Sequence, residues 1–97
     1  MVKHHYATQT PLYLGLKPQE NTSQTLQILL QDHPNVAEPK MILSDSGSLV
    51  EAAQNLYATL HLADQKGLQR IFVETFPDEG LGAAMNDRLS RAAAKFQ

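Results

Sequence analysis

Apolar residues along the chain fall into short alternating or unbroken runs and two long stripes of helical period. Residues 1–10, MVKHHYATQT, show neither pattern. PLYLGL at 11–16 alternates and begins on Pro, whose missing N–H does least harm at the start of a strand, so a strand is expected there. KPQENTSQ follows as turn chemistry, with Thr22 or Ser23 placed to cap a helix over 22–31. Leu26, Leu29 and Leu30 would form its apolar face, and Pro34 lies just past its end. HPNVAEPK reads as a loop with room for an extra short strand at 35–40, and MILS at 41–44 reads as a short buried strand. After the break at DSGS, Leu49, Ala52, Ala53, Leu56, Leu60 and Ala63 recur at the i, i+3, i+4, i+7 spacing of a helix, which Gly67 closes. RIFVETF at 70–76 is rich in strand formers, and PDEGLG turns it into a last helix over 81–95 with the stripe Met85, Leu89, Ala92 and Phe96.

Strand and helix thus alternate three times. That order predicts a three-layer α/β fold, a mostly parallel sheet of three or four strands with helices on both faces. The 97 residues suffice for one domain with one modest core. No run approaches the roughly 18 apolar residues of a membrane span, and the polar N-terminus does not resemble a secretory signal. A cytoplasmic setting without membrane contact is therefore expected. Eight Lys and Arg against ten Asp and Glu form no basic stripe, so direct nucleic-acid binding is not expected. With no cysteine, disulfides and thiolate metal sites are excluded.

The candidate chemistry is sparse. In ETFPDEGLGAAMNDRL a strand leads through Gly80 and Gly82 into a helix, the setting in which nucleotide-binding proteins hold phosphate. The third glycine and the Lys-Ser/Thr pair are missing, and Glu74, Asp78 and Glu79 would repel an anion. A tight turn with close packing is the simpler role for the two glycines. As an acid/base pair the carboxylates lack environments that would split their pKa values, and Asp78 and Glu79 suit the positive end of the last helix. Among His4, His5, His33 and His61, only His61 has a partner at helical spacing, Asp64, and a third metal ligand is not evident. Ser44, Ser46 and Ser48 flank a turn without the nucleophile-elbow pattern and suit caps. Arg88, Arg91 and Lys95 share a helix face that is either solvated or turned to an acidic partner.

Three stretches together carry a resemblance: MVKHHYATQTPLYL, LSDSGSLVEAAQNLYATLHLAD and IFVETFPDEGLGAAMNDRLSRAA. They resemble the C-terminal accessory domain of the long-form threonylcarbamoyl-adenylate synthases, in which a YrdC-like catalytic domain and a linker precede a small Rossmann-like domain. The resemblance implies that residues 1–10 are the end of that linker and 11–97 the accessory domain. It implies that Lys3, His5 and Tyr6 contact the partner domain or its nucleotide, as a lid over the catalytic mouth. Where the family usually has Pro after HYA, this chain has Thr8, which removes a φ restraint. The parent reaction joins threonine, bicarbonate and ATP, with Mg as a further cofactor, and feeds tRNA threonylcarbamoyladenosine modification. The resemblance places catalysis in the YrdC-like domain, so no cofactor and no catalytic residue are expected in this chain. The YrdC-like domain, in cis or in trans, is the expected partner, and an exposed sheet edge could also pair two copies. A reading from a different class is a free-standing domain that binds a small ligand or nucleotide at its strand ends.

Overall fold

The segment 25–29, TLQIL, is buried at every position, and that decides the topology. The computed structural model describes residues 8–17, 22–94 and 96. Its elements in chain order are β1 (Leu12–Leu14), β2 (Thr25–Leu29), β3 (Lys40–Ile42), α1 (Leu49–Asp64), β4 (Arg70–Val73) and α2 (Gly80–Ala94). The helix expected over 22–31 is instead strand β2. Leu26, Leu29 and Leu30 do match a helical spacing, but a strand covered on both sides needs apolar residues at every position and mimics that spacing by chance. The other expected strands and helices are present close to their expected places, with β3 beginning at Lys40 and β4 ending at Val73, and no separate strand forms at 35–39.

The four strands form one parallel sheet in the order β1-β4-β2-β3. Register places Leu12, Ile71 and Leu26 in one row, and Leu14, Val73, Ile28 and Met41 in the next row on the same face. This face packs against Ala52, Leu56, Leu60 and Ala63 of α1 and against Met85 and Leu89 of α2, forming one apolar cluster. Ala92 and Phe96 flank it half-buried, while Ala93 is buried.

The domain is therefore a small Rossmann-like α/β unit, with one correction to its layers. Once 25–29 is a strand, the two helices among the described residues share one face of the sheet. The row on the other face runs Tyr13, Phe72, Gln27 and Lys40. Tyr13 and Phe72 stack there with ring centroids 5.7 Å apart. The fully buried Gln27 carboxamide accepts from the Lys17 N–H and donates to the Lys17 carbonyl, both at 2.9 Å. Lys17, shortly after β1, thus lies against this face, and Gln27 meets both of its main-chain polar groups.

Candidate functional site: the carboxyl end of the sheet

Open parallel sheets take ligands outside the carboxyl ends of their strands, where neighbouring strands send their connections opposite ways. Here that point lies between β2, whose chain continues to β3, and β4, whose chain continues to α2 and returns toward β1. The last ladder bond donates from Glu74 N–H to the Ile28 carbonyl. Beyond it the Glu74 side chain turns into the crevice. Its Oε1 accepts from the Leu30 N–H at 2.9 Å, and its Oε2 lies 3.1 Å from His33 Nε2. A carboxylate of the protein itself thus takes a main-chain donor at the strand ends, and its charge disfavours an anion there.

The turn after β4 is also satisfied from within. Asn86 of α2 accepts from the Phe76 N–H at 2.9 Å and donates to the Phe76 carbonyl at 2.8 Å. Gly82 and Ala83 both donate to the Glu79 carbonyl, so these two amides of the opening turn already have acceptors. Gly80 has a φ of +57°, in the region that favours glycine. At Gly82 a Cβ would lie 2.0 Å from the Pro77 carbonyl oxygen, so glycine lets the helix start close beneath the turn. Asp78 and Glu79 are exposed in this turn.

The serines after β3 build the start of α1. Ser48 is the N-cap and accepts from the Glu51 N–H at 3.2 Å. The buried Ser44 accepts from the Ser48 N–H at 2.9 Å, donates to Glu51 at 2.5 Å, and has the Ser46 hydroxyl 3.3 Å away. Asn55 adds a bond to the Leu43 carbonyl at 2.8 Å. This is a capping network.

At the opposite end of α1, Asp64 takes the chain as it enters β1. Its Oδ1 accepts from the Gln9 N–H at 3.1 Å and the Thr10 N–H at 2.8 Å, and its Oδ2 lies 3.1 Å from the Gln9 nitrogen. Burial works against the charge, but the bonds from Thr10 and Gln9, helped by nearby His61, outweigh it and hold this carboxyl below the ordinary aspartate value. His61 acts on Asp64 only through its charge, and the carboxylate is taken up by backbone amides. Among the described residues, no three His, Cys, Asp or Glu side chains gather as a metal site.

Arg91 pairs with Asp87 at 2.9 Å on the exposed face of α2. Lys3, His4, His5, Tyr6 and Lys95 lie outside the described residues. Sequence reasoning assigned no role to Asn86 or Gln27. The signal in each case is a carboxamide inside an otherwise apolar period.

A four-stranded parallel α/β domain, with strand-end backbone groups met by its own side chains, is the class that fold and site define. Residues 1–94 match the family described as threonylcarbamoyl-AMP synthase, C-terminal domain, and the chain belongs to that family. Comparisons with curated proteins and with solved structures give no match.

Proposed function

We propose that this chain acts as the accessory domain of a threonylcarbamoyl-AMP-forming synthase in tRNA modification, packing on and gating a YrdC-like catalytic domain. Family membership over 1–94 supplies the reaction context. The observation that supports the accessory role is the Glu74 carboxylate on the Leu30 N–H, at the point where a ligand-binding domain of this architecture would keep its backbone donors open. In this reading ATP, with its Mg, and threonine bind the catalytic domain. Lys3, His5 and Tyr6 close over that site as a lid that excludes water and gates release. No helix among the described residues is long and apolar enough to cross a membrane, in keeping with a cytoplasmic role.

The test is titration of the isotope-labelled chain with its matching YrdC-like domain, with and without ATP and threonine. Amide shifts concentrated on Lys3, His5 and Tyr6 are expected on adding the partner. No response to the partner, with shifts at Gly80 and Gly82 on adding nucleotide alone, would replace this reading with that of a free-standing nucleotide-binding domain.

A further inference from the structure

The segment 8–10 is polar in sequence, yet the fold holds it closely. Thr8 and Thr10 are buried, and the Thr8 hydroxyl donates to the Thr10 carbonyl at 2.6 Å. The two successive main-chain N–H groups of Gln9 and Thr10 both point at the Asp64 carboxylate in the last turn of α1. The partners are more than fifty residues apart in sequence, so the contact is a product of tertiary structure. Bonds to a charged acceptor are about twice as strong as neutral ones, and two adjacent donors fix a direction as well as a distance.

We propose that Asp64 is a positioning residue that clasps the incoming chain to the C-terminal turn of α1, so that whatever precedes Thr8 leaves the domain at one fixed point and in one direction. The clasp does not depend on a catalytic partner, because every atom of it lies in this chain. Its consequence is mechanical: a pull on the preceding segment acts on α1 before it acts on the sheet. The Thr8 hydroxyl bond to the Thr10 carbonyl adds a restraint on the same stretch of backbone.

Two readouts on the 97-residue chain test this. With no native cysteine, a nitroxide on an Ala7→Cys variant is a unique label. The label is expected to broaden the amides at 61–66, and Asp64→Ala is expected to remove most of that broadening. Amide exchange at Gln9 and Thr10 should accelerate about tenfold or more in Asp64→Ala and by less in Asp64→Asn, which keeps one acceptor. Protection at Ile71 and Val73 reports whether the fold survives in each variant. Equal broadening with and without the carboxylate, while Ile71 and Val73 stay protected, overturns the proposal. So do Gln9 and Thr10 amides that exchange at unfolded rates in the unaltered chain. Should the YrdC-like titration fail while the clasp is observed, the accessory reading falls and the positioning role stands.

Discussion

Polar side chains set much of this domain's local geometry by serving backbone groups that no ladder reaches. Glu74 is the clearest. Removing its carboxylate in Glu74→Ala leaves the half-buried Leu30 N–H without its acceptor and should cost about 1–3 kcal/mol in urea unfolding, whereas Glu74→Gln keeps an acceptor and should cost less. Equal losses in the two variants would mean that the contact to His33 matters more than the Leu30 bond. Asp64 yields a pH prediction. Because its folded pKa lies below the unfolded value, its contribution is fully present above the unfolded pKa and is lost as pH falls through the folded one. His61 on the same helix, when protonated, favours the charged form. Urea unfolding from about pH 6 down to about pH 2 should therefore show the stability gap between the native chain and Asp64→Asn closing on the acid side. A gap independent of pH would place the Asp64 contribution elsewhere than in its charge.

At the scale of elements, α1 and α2 begin by different means. Helix α1 has an N-cap, with Ser48 on the Glu51 N–H and Ser44 linking the Ser48 N–H to the Glu51 carboxylate. Helix α2 relies on close approach. Gly82→Ala would drive a Cβ against the Pro77 carbonyl, a backbone atom that cannot swing aside, and should destabilise the domain by about 1–3 kcal/mol in thermal or urea unfolding. Asn86→Ala frees both polar groups of Phe76 and is expected to expose the turn 74–79, read as faster amide exchange there while β2 stays protected. These elements were legible in sequence to unequal degrees. Helix α1 was plain because one apolar face repeats over more than four turns. The segment 25–29 was not, because a strand buried on both faces carries no alternation. Its Thr25 and Ile28, both β-branched, were the available signal against a helix.

For the whole molecule, a single apolar cluster joins one sheet face to both helices. Leu56 is fully buried within it, so Leu56→Ala should cost about 2–5 kcal/mol, with helical and near-ultraviolet signals lost at one common midpoint. Separate midpoints would mean that the helices and the sheet do not unfold together. On the other sheet face, side chains reach to the connections: Gln27 to Lys17, and Lys40 to Asp32 at 2.6 Å and to the His33 carbonyl.

The sequence by itself determined the α/β class, the two long helices, three of the four strands, the capping role of the serines and the family. Each of these is written in a local period, a local cap or a contiguous motif. Only the tertiary structure decided that 25–29 is a strand and that both helices share a face. It also decided that Glu74 takes the Leu30 N–H and that Asp64 holds Gln9 and Thr10. The physical reason is common to all four. Each depends on partners from about ten to more than fifty residues away, and a side chain's choice between solvent and a distant backbone N–H is made only when the chain has folded around it.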